Sequence, residues 1–183
     1  MPAIFLLGFM GSGKSAVARA LSRQLDLPLI DLDARVERQI GTSIAQFFAS
    51  KGEEAFRQAE TRVLTEVGEE KAVVSLGGGV PTRARNREVL QLATREGALV
   101  VYLAARSETL AQRIRRQPGK RPLIDGQGTL DFDQTKARVE QLLGEREAFY
   151  RECASFEVQT DERTIPQIAG ILADKWGQIH SKR

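Results

Sequence analysis

The sequence predicts an α/β fold in which a parallel sheet is covered by helices on both faces. Three observations carry that expectation. Short apolar runs at 4–7, 27–30, 72–76, 99–103 and 156–158 alternate with amphipathic helical stretches along the chain. A glycine-rich turn of defined pattern sits between the first run and the first helix. The 183 residues show no internal repeat and no interdomain linker, so a single domain with an ample core is expected.

The first strand, Ile4-Phe5-Leu6-Leu7, runs into Gly8-Phe9-Met10-Gly11-Ser12-Gly13-Lys14-Ser15. This is the G-x-x-x-x-G-K-S pattern, whose backbone N–H groups wrap nucleotide phosphates. Val17, Leu21 and Leu25 recur at helical spacing after it. The helix N-terminus, with its orphan N–H groups and positive dipole end, therefore faces an anion. Glycines at 8, 11 and 13 let the backbone turn and approach phosphate closely. Gly11, Ser12, Gly13, Lys14, Ser15 and Ala16 form the candidate nucleotide-binding segment. Lys14 is expected to reach the β/γ-phosphate oxygens of ATP, and the Ser15 hydroxyl to ligate Mg²⁺.

The second strand candidate, 27–30, ends at Asp31-Leu32-Asp33. A polar helix over 34–40 follows, then Gly41-Thr42-Ser43 and a helix carrying Ile44, Phe47 and Phe48. Lys51-Gly52 breaks that helix, and 53–67 is helical again with Phe56, Val63, Leu64 and Val67 on its apolar face. The buried-type strand 72–76 stops at Gly77-Gly78-Gly79. Residues 81–94 are amphipathic, with Val89, Leu90 and Leu92 as the apolar positions. Strand 99–103 follows, then a helix capped by Ser107 and running to 116. Residues 117–128 turn to Pro, Gly and basic residues, the composition of a loop. Asp131 can cap a long helix to about 150. Strand 156–158 and a helix over 166–176 close the chain.

Composition excludes several classes. The net charge of +3 makes no case for nucleic acid, and no run approaches the length of a membrane span. The N-terminus lacks the basic start of a signal peptide. The single cysteine, Cys153, allows no internal disulfide and fits a reducing cytoplasm. The only histidine, His180, lies in the polar tail, which argues against histidine-based metal or acid–base chemistry. No long exposed apolar stripe demands a partner, so a monomer is the default expectation.

A P-loop specifies a nucleotide and leaves the reaction open. Strands 72–76 and 99–103 end in Gly and Ala, with no acid at the usual second metal position, so the available acid is Asp31. A guanine-reading Asn/Thr-Lys-x-Asp motif is missing, and the chain is too short for a transporter ATPase. A small kinase with an acceptor pocket and a basic lid remains. By residue type alone, Asp33 serves equally well as the N-cap of the helix from Ala34 or as a functional acid. Arg57 can simply pair with Glu53 or Glu60 on a helix surface, Arg146 with neighbouring glutamates, and the basic run 113–128 is by default a solvated one.

The chain resembles the shikimate kinases. The resemblance rests on the P-loop, Ile30-Asp31-Leu32-Asp33, Gly52-Glu53-Glu54-Ala55-Phe56-Arg57 with Glu60, Ser75-Leu76-Gly77-Gly78-Gly79, Arg121-Pro122-Leu123, and Arg146 with Tyr150. It implies the nucleoside-monophosphate-kinase fold, a five-stranded parallel sheet with a lid, and transfer of the ATP γ-phosphate to the 3-hydroxyl of shikimate. Within that fold the acceptor-binding region is about 32–60 and the lid about 113–128. Asp33 would bind the acceptor hydroxyls and take or orient the proton of the attacking one. Asp31, with Ser15, would reach Mg²⁺, the aspartate through a water. Arg57 and Arg146 would clamp the acceptor carboxylate, a task suited to the planar guanidinium fork. Gly78 and Gly79 would lie against the substrate ring. Arg121 would neutralise charge on the transferring phosphate, and Arg113 and Arg163 would contact the adenine end. Two residues depart from the family pattern: Leu32 stands where the family has Thr, and Ala148 where it has Pro. A polyol acid such as gluconate is the alternative acceptor, and a nucleotide-dependent binding module a further one.

Overall fold

The computed structural model describes residues 2–116 and 131–181. Five strands form one sheet in the order β2-β3-β1-β4-β5, each neighbouring pair parallel. They are β1 (Ile4–Leu7), β2 (Leu29–Asp31), β3 (Val73–Ser75), β4 (Leu99–Ala104) and β5 (Phe156–Gln159). The expected α/β class and five-stranded parallel sheet are what the structure has.

Side-chain alternation along the strands divides the core. Phe5, Leu7, Val74, Val100 and Tyr102 face one layer, built on helices α2 (Leu32–Ile40), α3 (Ile44–Gly68) and α4 (Ala84–Arg95). The same layer includes α6 (Phe132–Gly144) and α7 (Glu147–Cys153). Ile4, Leu6, Val73, Leu99, Val101 and Leu103 face the other, packed on α1 (Lys14–Leu25) and α8 (Ile165–His180). All six β4 residues are buried. A strand covered on both faces must be continuously apolar, and each fully buried aliphatic side chain contributes about 1.5–3 kcal/mol. Helix α5 (Ser107–Arg115) is the remaining α-helix among the described residues.

β1 sits between β3 and β4, and the chain leaves it through α1 to reach β2 on the far side of β3. That reversal opens a crevice at the carboxyl ends of the strands, where ligands bind in such sheets. The P-loop lies at its centre.

Several boundaries differ from the sequence expectation. The helix expected over 131–150 is two helices. Asp131 does cap the first, in a reciprocal capping box with Gln134. That helix ends at Gly144, and Arg146 (φ −121°, ψ −23°) becomes the N-cap residue of α7. Ser107 is the first residue of α5 rather than its cap, because its hydroxyl is turned to Glu140, 3.1 Å away. Leu92 points outward and is 54% exposed, so the apolar face of α4 is Leu90 and Ala93 with Val89 packed at its edge. The break expected at Gly52 is present: its φ of 79° and ψ of 172° interrupt α3, in a region that favours glycine. The second strand begins two residues later than expected and takes in Asp31.

Candidate active site

The nucleotide side is built on the start of α1. Gly13 is its N-cap residue, in left-handed conformation, and no side chain caps the helix. No acid stands in its first turn, whereas α6 and α8 each carry a capping box. The Ala16 N–H donates to the Gly13 carbonyl at 3.0 Å, and no side chain competes with an anion from outside at this helix start, which fits a nucleotide phosphate. The Lys14 ammonium folds over the loop, donating to the carbonyls of Gly8 (2.7 Å) and Phe9 (2.9 Å). Its charge is thereby centred over the phosphate cradle.

A cleft of about 860 Å³ extends from the loop, lined by residues 10–16, Arg19, Asp33, Arg113, Arg116 and Arg163, with Thr160, Thr164, Ile165 and Ile168 on the α8 side. Arg113 spans it, donating to the Gly11 carbonyl (3.4 Å), the Thr160 hydroxyl (2.9 Å) and the Thr160 carbonyl (2.7 Å). Arg163 is exposed at the rim and donates to the Gln159 carbonyl at 2.7 Å. Arg19, Arg116 and Thr160 were not singled out from the sequence. Only Thr160 carried a signal, since it directly follows β5 and strand carboxyl ends line such crevices.

A second cavity, about 240 Å³, adjoins the first. It is lined by Met10, Lys14, Ser15, Asp31, Asp33, residues 75–79 and Arg146. Asp31 ends β2 and N-caps α2, its Oδ1 accepting from the Ala34 N–H at 3.2 Å. This removes the capping alternative for Asp33, which stands two residues further on, inside the first turn of α2, with its carboxylate turned to the glycine run. A Cβ built on Gly77 would lie 2.8 Å from Asp33 Oδ1, and one on Gly79 would lie 3.3 Å from Arg57 Nη1. The three glycines therefore admit an acid at one end and a guanidinium at the other. Between them, the Tyr150 hydroxyl donates to the Gly78 carbonyl at 2.7 Å. Leu32 is fully buried in the core, so the departure at this position supplies packing and no hydroxyl.

Both surface-pair readings of Arg57 hold at once with its place at Gly79. Its Nε and Nη2 donate to Glu53, and its Nη1 to both oxygens of Glu60, at 3.1 and 3.2 Å. Glu60 is 2% exposed. Arg146 reaches the pocket because the chain breaks before α7, a break the sequence reading did not foresee.

Electrostatics follow from this crowding. Asp33 is reached by solvent yet stands in a concave site. Burial there, followed by the nearby Asp31 charge, raises its pKa against the opposing pull of Lys14 and Arg57. Burial likewise raises Glu60, although Arg57 opposes the shift. The Tyr150 phenol is pushed up to about 12 by burial, with Arg146 pulling the other way. Tyr150 therefore stays a neutral donor to Gly78. Among the described residues no cluster of three or more His, Cys, Asp or Glu side chains could hold a metal. The Ser15 hydroxyl and Asp31 carboxylate, lining one cavity, still suit Mg²⁺, which keeps much of its water and leans on substrate phosphates. Arg121 lies outside the described residues.

An uncapped phosphate cradle opening on two joined cavities, one of nucleotide size and one polar and small, defines a P-loop kinase acting on a small molecule. The family model for shikimate kinase matches residues 10–175. The shikimate kinase of Chlorobium chlorochromatii (strain CaD3) is 44% identical over 175 residues, 94% of this chain and 89% of that protein. That of Symbiobacterium thermophilum is 36% identical, covering 94% of each. Among solved structures, a shikimate kinase from Acinetobacter baumannii in complex with shikimate superposes with a TM-score of 0.80 at 33% identity. It covers all of this chain and 95% of its own. The chain belongs to the shikimate kinase family.

Proposed function

We propose that the paired cavities are the donor and acceptor sites of an ATP-dependent shikimate kinase, with Asp33, Lys14 and Arg121 as the reacting-centre residues. The observation that carries this is the seam: Lys14, Ser15 and Asp33 line both cavities. A phosphoryl group held at the P-loop and an acceptor hydroxyl held by Asp33 are thereby brought into line. Phosphoryl-transfer transition states are loose, so alignment and charge stabilisation dominate over covalent assistance.

Each residue then has a task. Gly11 to Ala16 hold the phosphates, and Arg113 and Arg163 flank the nucleotide base end of the cleft. Arg57, Arg146, Gly78 and Gly79 seat the acceptor, the two guanidiniums taking its carboxylate. Asp33 holds the attacking hydroxyl, and its raised pKa suits it to receive that proton. Lys14 stabilises charge developing on the transferred group. Arg121 adds to this on the grounds of family resemblance. Ser15 and Asp31 would hold Mg²⁺, which when bound neutralises phosphate charge. We read residues 1–183 as one kinase domain, active as a monomer in the cytoplasm. No helix among the described residues is long and apolar enough to cross a membrane. Family membership favours shikimate over gluconate and over a binding module.

Asp33→Asn tests the assignment. With both substrates saturating, kcat falls by about a hundredfold or more, the range of general-base contributions, while KM for ATP stays within about twofold. A kcat near wild type would remove Asp33 from the reacting centre.

A further inference from the structure

Asn86 lies in the first turn of α4, and no part of it reaches solvent. A buried amide is costly unless its hydrogen bonds are made, and here they are. Its Nδ2 donates to the Val80 carbonyl at 2.9 Å and to Glu60 Oε2 at 3.4 Å. Its Oδ1 accepts from the Thr61 hydroxyl at 2.6 Å, and that hydroxyl also lies 2.9 Å from the Arg57 carbonyl. These partners lie behind the lining of the acceptor cavity, on two different segments of the chain. Val80 follows the glycine run directly, while Glu60 and Thr61 sit on α3 beside Arg57.

The contacts close a ring. Arg57 Nη1 approaches Gly79, Glu60 grips the same Nη1, Asn86 grips Glu60, and Asn86 also grips Val80, the neighbour of Gly79. One amide therefore ties the helix that carries the guanidinium to the segment that follows the glycine run. We propose that Asn86 is a positioning residue for the acceptor: it holds the Arg57–Glu60 pair in register with the glycine run, and so sets acceptor affinity without touching the acceptor. The amide is chemically required, because both Nδ2 partners are acceptors. A carboxylate in its place would meet a carboxylate and a carbonyl with no proton to offer.

The inference rests on the reading of Arg57 as an acceptor ligand. Its test is Asn86→Asp, nearly equal in shape, assayed for both substrate KM values and for Tm from pH 6 to 8. The result expected is a shikimate KM raised by about tenfold or more, from sub-ångström displacement of Arg57, with ATP KM within about twofold. The defect shrinks toward pH 6, where a proton shared between the new carboxylate and Glu60 restores a donor. Should this variant not fold, Glu60→Gln with Asn86→Asp replaces it. That exchange restores a donor between positions 60 and 86 and keeps the net charge, yet leaves the Val80 carbonyl without its donor and moves the charge away from Arg57, so shikimate KM stays raised. A shikimate KM equal to wild type in the variant that folds, or equal rises in both KM values with no dependence on pH, would overturn the proposal. Wild type is run alongside; its failure to turn over shikimate would instead count against the function, not against Asn86.

Discussion

Gly77→Ala is the substitution whose consequence can be worked most directly from the geometry. Gly77 does not have positive φ, so alanine meets no backbone strain there. Its Cβ would stand 2.8 Å from Asp33 Oδ1, 3.4 Å from Oδ2 and 3.5 Å from Cγ. Ordinary contact begins near 3.4 Å, so the carboxylate must retreat by roughly 0.6 Å. Asp33 is at the end of a short, solvent-reached side chain, so it can move at little cost in stability. The cost falls on alignment, where about 1 Å of misplacement loses about a hundredfold, so about a tenfold fall in kcat is expected. The assay is steady-state ADP release with both substrates saturating, beside a thermal melt. Gly79→Ala is the companion: its Cβ meets Arg57 Nη1 at 3.3 Å, so its effect appears in shikimate KM and leaves kcat nearly unchanged. A Gly77→Ala enzyme with wild-type kcat and wild-type Tm would refute the placement of Asp33 at the point of attack.

Arg57→Ala should raise shikimate KM by about a hundredfold, two charge-assisted hydrogen bonds contributing about 1.5 kcal/mol each. It also strands the Glu60 charge, at a cost of about 3–5 kcal/mol. Adding Glu60→Gln should recover most of the melting temperature and none of the KM; recovery of both would show that Arg57 acts only as a structural ion pair. Asp33→Asn should melt above wild type at pH 7. Because the folded-state pKa of Asp33 is raised, its ionisation disfavours the folded state as pH rises through that value, and the advantage should close as pH falls toward the ordinary carboxyl range. A variant difference independent of pH would contradict the raised pKa.

The sequence made the sheet and the P-loop legible because both are local. A strand covered on two faces must be apolar throughout, as 99–103 is, and the glycine and lysine spacing of the loop is a backbone requirement. Asp31 stands out from the residues as the acid ending the second strand, and the glycine run as the stop of a buried one, whereas the roles of Asp33, Arg57 and Arg146 come from resemblance to the family. Residue type alone left Asp33 divided between cap and acid until Asp31 proved to hold the Ala34 N–H. The rest depended on long-range packing. The helix break before Arg146 was missed because 131–150 is apolar-periodic on both sides of it, and Gly144 was the only local mark. Asn86 and Thr160 look like ordinary polar residues in the sequence. Their roles appear only when α3, α4, β5 and α5 come together.

The most direct test of the central claim is ADP release with Mg-ATP and a single acceptor at a time: shikimate, gluconate, nucleoside monophosphates or none. Turnover that requires shikimate, and that needs a far higher shikimate concentration in Arg57→Ala, is the result expected. Turnover with another acceptor at equal efficiency, or ATP hydrolysis indifferent to any acceptor, would contradict the assignment of the smaller cavity.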